Sequence, residues 1–370
     1  MLRRCAAYLL VAILCLCLLI LPIRSAQQNE HVISSQGIIN GNKSLGWLHT
    51  DGRYIKDKYG RILNFTGTTE AQTSWRYDTH EDWNHGSDPI PMAERMAELG
   101  VTWVRICINH EFWIDPSIGA SYRDLIDRYV QKFTARNVYS IVGLMSHDLK
   151  DDQANWLSFL NELANRYKAN PGMCGIFIFN EPPRPPFTDD TWHQWAVLGA
   201  EAVHNANPNL LIVVEVGLSN REGIDPYWLS NPISVPNVVY AYHDYFWQHY
   251  YYDKHDFALS YEAGNYALAK QQMEDYFYDR FWKYAVEHNM CIMNEEFGFA
   301  DGQGPNLTPG DMGYTPGAPQ SIHDYFELHN KYGIPWCCYA WHMGGYSLTD
   351  DGVILNLVGE IWVQYLMRTP

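Results

Sequence analysis

Two glutamates in this chain stand where apolar, β-favouring runs stop. Glu181 follows Gly175-Ile176-Phe177-Ile178-Phe179-Asn180 and is closed off by Pro182, and Glu296 follows Met290-Cys291-Ile292-Met293-Asn294-Glu295. A run apolar at every position suits a strand buried on both faces. A carboxylate at its end is costly to desolvate unless it has a partner or a chemical task. Two such ends suggest an acid and a base meeting in one cleft; the competing reading is a pair of salt-bridged structural carboxylates. Other strand-like runs also stop at polar groups: Arg105 lies in one, one ends at His147, one at His243-Asp244-Tyr245 and one at Trp341-His342. Two carboxyl groups with Arg, His, Asn, Tyr and Trp fit hydrolysis of a glycosidic bond. One carboxyl must be protonated to serve the leaving oxygen, and the other ionised to attack or shield the anomeric carbon.

The elements that must position these groups alternate along the chain. Expected strands are 62–66, 103–108, 140–144, 175–179, 211–216, 238–242, 291–294 and 335–340. Helices are expected at 92–99, across Leu125–Phe133 and Trp156–Ala164, and at 192–205, 273–288, 322–332 and 358–367. Before the first of these, 46–61 reads as a hairpin with turns at Asp51-Gly52 and Tyr59-Gly60. Eight strand–helix alternations predict an α/β fold, one (β/α)8 barrel over residues 45–370. A doubly wound sheet is the alternative, but no early strand is followed by a glycine-rich phosphate turn. The tracts 247–272 and 300–321 are expected as insertions on the catalytic face, after strands six and seven. Trp75, Trp113 and Trp247 lie just beyond strands one, two and six and are candidate outer sugar platforms, although a tryptophan is more often core.

The first 26 residues are expected to be a signal peptide: Arg3 and Arg4, an apolar run from Cys5 to Leu21, then Pro22, Ser25 and Ala26. An uncleaved anchor is the alternative. Residues 27–44 read as a flexible linker. The expected product is secreted, monomeric and, after cleavage, free of the membrane. The whole chain carries a net charge of −16, and losing the segment removes three arginines and no acid. That balance argues against a nucleic-acid partner. Aromatics make up 15% of the chain, with 14 Trp and 26 Tyr, as a sugar-stacking surface or an aromatic core would both require. Cys107, Cys174, Cys291, Cys337 and Cys338 fall in or beside strand-like runs and are expected as buried free thiols. No Cys/His spacing reads as a zinc site, and no metal or other cofactor is expected.

The chain resembles glycoside hydrolase family 5, the cellulase-like barrels. The resemblance runs in order through Leu48–Arg61, Gly100-Val101-Thr102-Trp103-Val104-Arg105-Ile106, Asn180-Glu181-Pro182, Tyr242-His243-Asp244-Tyr245, Glu296-Phe297-Gly298 and Trp341. It implies a retaining mechanism with Glu181 as acid/base and Glu296 as nucleophile, the latter because it directly precedes Phe-Gly. Strand alternation also favours a single choice between Glu295 and Glu296, since neighbouring side chains point to opposite faces. Arg105, His147, Asn180, His243, Tyr245 and Trp341 match the family's other active-site positions, with Trp341 as the platform under the sugar. The expected activity is endo-hydrolysis of β-1,4-glucan. β-Mannanase, mixed-linkage glucanase, xyloglucanase, exo-β-glucosidase, transglycosylation and a non-catalytic carbohydrate-binding barrel remain the alternatives.

Overall fold

The computed structural model describes residues 45–75, 90–218, 228, 230–300, 307–309, 311, 313–343, 345–350, 352 and 354–366. The expected signal segment and linker lie outside the described residues. A two-stranded antiparallel hairpin, β1 (Leu48–Asp51) and β2 (Tyr54–Asp57), comes first. Eight parallel strands then close into a barrel: β3 (Thr66–Glu70), β4 (Trp103–Ile108), β5 (Tyr139–Leu144), β6 (Met173–Phe177), β7 (Leu211–Glu215), β8 (Val238–His243), β9 (Ile292–Phe297) and β10 (Trp336–Cys338), with β10 pairing back onto β3. The barrel expected from sequence is therefore present.

Alternation along each strand divides the core in two. Trp103, Cys107, Ile141, Val213, Ala241, Met293 and Cys337 belong to one buried cluster, which fills the barrel. Val104, Ile106, Ile108, Val142, Ile176 and Val214 belong to the other, with helix residues such as Ile126, Tyr129, Leu160 and Val203. The helix Gly119–Ala135 shows why the outer layer forms. Its Tyr122, Leu125, Ile126, Tyr129, Val130 and Phe133 recur at helical spacing and are all buried. The helix Asp189–Ala206 opens with a reciprocal cap between Thr188 and Thr191. The five cysteines among the described residues are buried and free.

The first barrel strand departs from the expected 62–66. Ile62 bridges Lys56 and the Leu63 amide donates to the Ile55 carbonyl, so this apolar run extends the hairpin. Leu48, Ile55, Leu63 and Phe65 join the interior cluster. The strand itself is the polar Thr66-Gly67-Thr68-Thr69-Glu70, every residue of it buried. Hydrophobicity marked the plug, and barrel closure chose the strand. The helix expected at 273–288 is longer and broken: Tyr266–Phe277, a single π turn at Tyr278–Trp282, then Lys283–Glu287.

Strand packing is tightest at Gly143 of β5, where an added Cβ would lie 1.9 Å from the Phe177 carbonyl oxygen and 2.8 Å from the Phe177 ring. Gly143→Ala is expected to lower folding stability by ~1–3 kcal/mol, the range for overpacking a rigid core. Urea denaturation checks this; a midpoint equal to that of the parent would show that β5 and β6 can separate freely.

Candidate active site

Arg105 rises from β4 into the barrel and is fully buried. Its Nη1 donates to Glu296 Oε2 at 2.5 Å and its Nη2 to Asn180 Oδ1 at 2.5 Å, while its guanidinium lies 4.3 Å from the centre of the Phe177 ring. Tyr245 Oη donates to the other Glu296 oxygen at 2.8 Å. Burial, and then the Glu296 charge, hold the Tyr245 phenol well above its ordinary pKa, so it stays a donor. Glu296 thus accepts from a guanidinium at one oxygen and from a phenol at the other.

Glu181 occupies a different environment. Its side chain is 40% exposed, and its Oε1 lies 3.1 Å from His243 Nδ1. The residue sits in the left-handed region at φ 45, which a non-glycine residue adopts only when its surroundings require it. The requirement is visible: the Glu181 amide donates to Glu215 Oε2 at 2.7 Å. His147 Nε2 is 2.8 Å from the Asn180 carbonyl oxygen, and the His147 ring stacks on Phe179. His243 also stands 3.8 Å from Glu296 Oε1, and one oxygen each of Glu181 and Glu296 lies within 4.8 Å of the other. The structure therefore brings Arg105, His147, Asn180, Glu181, His243, Tyr245 and Glu296 together at the carboxyl ends of the strands.

Glu295 is also at the site, against the expectation that alternation would turn it away. In β8–β9 pairing, Tyr242 faces Asn294 but His243 faces Glu296, and pairing with β10 slips across the same stretch. A bulge of this kind places two residues opposite one and re-aims a side chain. Both glutamates consequently reach the same cations: Glu295 Oε2 is 3.6 Å from Arg105 Nε and its Oε1 is 3.6 Å from His243 Nε2.

Two further strand-end carboxyls complete the layer and were missed from sequence. Glu215 ends β7, is fully buried and lies 3.5 Å from His243 Nε2. Burial pushes its carboxyl up to about 8. Glu70 ends β3, accepts the Gln72 amide at 3.0 Å and is likewise pushed up to about 8 by burial. The signal for Glu215 was present, since Leu211-Ile212-Val213-Val214-Glu215 repeats the apolar-run-then-acid pattern of Glu181. Burial disfavours a charge on His243, yet Glu215, Glu296, Glu181 and Glu295 outweigh it and hold the imidazole well above its ordinary pKa.

Trp113 and Trp341 are placed differently from expectation. Trp113 is 1% exposed, donates its Nε1 to Glu162 and packs edge-on against Tyr122 and Phe159. It is a core residue, because its neighbouring helices cover both faces, and it offers none to a sugar. Trp341 is also 1% exposed, with its Nε1 donating to the Gly352 carbonyl and its ring against Trp362, so it forms a buried wall where an open platform was expected. Trp247 is half-buried and lies edge-on to Tyr245, with ring centres 6.5 Å apart; Tyr252, 55% exposed, is 5.8 Å further along. Trp75 ends the short helix Gln72–Trp75, and its side chain lies outside the described residues.

An eight-stranded barrel with paired carboxyls at the carboxyl ends of its strands is the architecture of a barrel glycosidase. A family model described as Cellulase (glycosyl hydrolase family 5) matches residues 63–345. The chain belongs to glycoside hydrolase family 5. It is similar to an endoglucanase of Paenibacillus polymyxa, 24% identical over 241 residues that span 54% of this chain and 60% of that relative. It is also similar to endoglucanase B of Acetivibrio thermocellus, 24% identical, with 83% of this chain and 67% of the relative covered. Among solved structures, a β-glucanase from Saccharophagus degradans superimposes with a TM-score of 0.69 at 15% identity, covering 88% of this chain and 94% of that one. The catalytic domain of the major endoglucanase from Xanthomonas campestris pv. campestris does so with a TM-score of 0.62 at 18% identity, covering 86% and 99%.

The buried carboxyls make stability depend on pH in a defined direction. Folded Glu70 keeps its proton up to about 8, whereas its ordinary value is 4.5. Between those values the unfolded chain binds fewer protons, so stability falls as pH rises, at about 1.4 kcal/mol per pH unit for one such group. Glu70→Gln has no proton to lose and is expected to gain on the parent steadily from pH 5 to pH 8. Urea midpoints at three pH values test this; a constant difference between the two proteins would mean that Glu70 ionises normally in the fold.

Proposed function

We propose that the protein is a secreted endo-β-glycanase that hydrolyses β-1,4-glucan with retention of configuration, using Glu181 as acid/base and Glu296 as nucleophile. The observation that carries this reading is the unequal treatment of two neighbouring carboxyls. Oxygens of the pair come within 4.8 Å, which fits the close spacing of about 5–5.5 Å between carboxyl groups in retaining enzymes. Glu296 alone is held by Arg105 and Tyr245, while Glu181 is the more exposed of the two, as a group that exchanges protons with leaving group and water needs to be.

In the first step the Glu181 carboxyl gives its proton to the glycosidic oxygen while a Glu296 oxygen bonds to the anomeric carbon. The C–O bond to the leaving sugar breaks, and that sugar departs as an alcohol. In the second step the Glu181 carboxylate takes a proton from water, whose oxygen displaces Glu296 and restores the original configuration. Asn180, held at its Oδ1 by Arg105, can present its amide to a sugar hydroxyl at the reacting centre. Trp247 and Tyr252 continue from Tyr245 as an aromatic edge, suited to a chain of sugars longer than the reacting unit. The names of the relatives support glucan as the polymer, and one solved neighbour is a β-glucanase in complex with cellotetraose.

Reducing-sugar release from carboxymethyl-cellulose, barley β-glucan, xyloglucan, mannan and laminarin tests the reading. Activity is expected on the β-1,4-glucans. Glu181→Gln should lower it by about 10²–10⁴-fold, with less loss on aryl glycosides whose leaving groups need no proton, and Glu296→Gln should abolish it on both. Full activity in either variant would remove that residue from the mechanism, and release from mannan alone would reassign the substrate.

Glu215 acts on Glu181 through the backbone. Glu215→Leu removes the acceptor for the Glu181 amide and is expected to cut kcat on the order of 10–10²-fold with little change in KM. Glu215→Gln keeps an acceptor oxygen and should retain most of the rate. Equal kcat values for the two variants would show that the Glu181 backbone holds its conformation without help.

A further inference from the structure

Away from the catalytic centre, His249, Asp253 and His255 bring one nitrogen, one carboxylate oxygen and one nitrogen within 4.8 Å of one another. His249 is the fixed member. It lies in the helix Phe246–Tyr251, its side chain is only 5% exposed, and its Nε2 is 2.7 Å from Asp244 Oδ1. Asp244 is itself anchored, its Oδ2 accepting from Tyr325 Oη at 2.7 Å. Burial disfavours a charge on His249, yet Asp244 and then Asp253 outweigh it and raise the imidazole to about 9, so an ion bound at Nδ1 takes the place of a proton there. Nδ1 is buried and makes no hydrogen bond, and Asp253 Oδ2 stands 3.8 Å from it.

The chain then doubles back to bring the second imidazole into place. The His255 amide donates to the His249 carbonyl at 3.0 Å, and Lys254, in the left-handed region at φ 53, makes the reversal. His255 Nε2 ends 3.9 Å from the same Asp253 Oδ2. A tetrahedral ion with ligands at about 2.0–2.2 Å has ligand-to-ligand edges of roughly 3.3–3.5 Å, so small side-chain rotations close the set. Asp253, Lys254 and His255 line a surface groove with Asp256, Gln272, Asp275 and Tyr276. The nearby cations are partly engaged elsewhere, Lys254 over the Tyr250 and Tyr251 rings and Arg280 beside Tyr276.

We propose that His249, Asp253 and His255 form a site for one zinc-class divalent transition metal ion, with the fourth position open to the groove. Two imidazoles and a carboxylate match the donor preferences of that class and do not match the all-oxygen shells of calcium or magnesium. The ion ties the turn that follows Phe246–Tyr251 to Asp244, which lies between His243 and Tyr245. It acts as a clamp on the inserted helices and has no part in bond cleavage. Sequence reading passed over the set because it contains no cysteine, and because His249 is ordered by Asp244, which precedes the inserted helix.

The test uses the full mature chain, stripped with EDTA and dialysed. Zn2+ is titrated by calorimetry and by thermal unfolding, and Co2+ by its visible absorption. One ion per chain, a Tm higher by a few degrees and a tetrahedral Co2+ spectrum are expected. Each should be lost in His255→Ala and in Asp253→Asn and kept in His193→Ala, which lies outside the groove. No saturable binding up to millimolar Zn2+, or binding of equal strength in His255→Ala and Asp253→Asn, would overturn the proposal. Neither readout depends on glycosidase activity, so its failure leaves the catalytic reading untouched.

Discussion

The site depends on one buried cation. Arg105 is a fully desolvated guanidinium inside the barrel, a position that costs least where its donors meet acceptors and its charge is matched. Its two terminal nitrogens donate to Glu296 and Asn180, Glu295 matches charge 3.6 Å from Nε without a hydrogen bond, and Phe177 lies against its face. Each of these partners also belongs to the strand ends that face the cleft. The requirement to neutralise Arg105 therefore fixes the carboxylate that serves as nucleophile in the proposed mechanism, and the amide that neighbours the proposed acid.

His243 is the second cation and links the two halves of the site. It contacts Glu181 and Glu296 at Nδ1 and approaches Glu215 and Glu295 at Nε2. Two cations thus face four carboxyl groups, of which Glu215, Glu295 and Glu296 are buried. Such a set lowers its cost by keeping some carboxyls protonated, and Glu215, pushed up by burial, is one that does so. Removing either cation leaves its carboxylate partners with uncompensated charge.

Much of the arrangement was legible in the chain. The alternation of apolar runs and helical stripes specified a barrel, because strands buried on both faces and helices buried on one leave different periodicities. The polar groups at the run ends marked which side of the barrel carries the chemistry. The boundaries were less legible: Ile62–Phe65 looks like a strand because it is apolar, yet it plugs the barrel bottom, while Thr66–Glu70, polar in composition, forms β3. Composition signalled burial only for the apolar segment, whereas every residue of the polar one is buried.

The sequence by itself determined the repeat of strand and helix and marked Glu181 and Glu296 as strand-end acids, since these follow from local periodicity and from the family resemblance. Only the tertiary structure decided which side chains share a space. The bulge in β9 turns Glu295 and Glu296 toward the same two cations, a result that regular alternation forbids and that depends on pairing with two neighbouring strands. Trp113 and Trp341 are covered by elements distant in sequence, so their composition could not say whether they face sugar or core. Glu215 holds the Glu181 backbone from the next strand, a contact across a gap of 34 residues that no local pattern records.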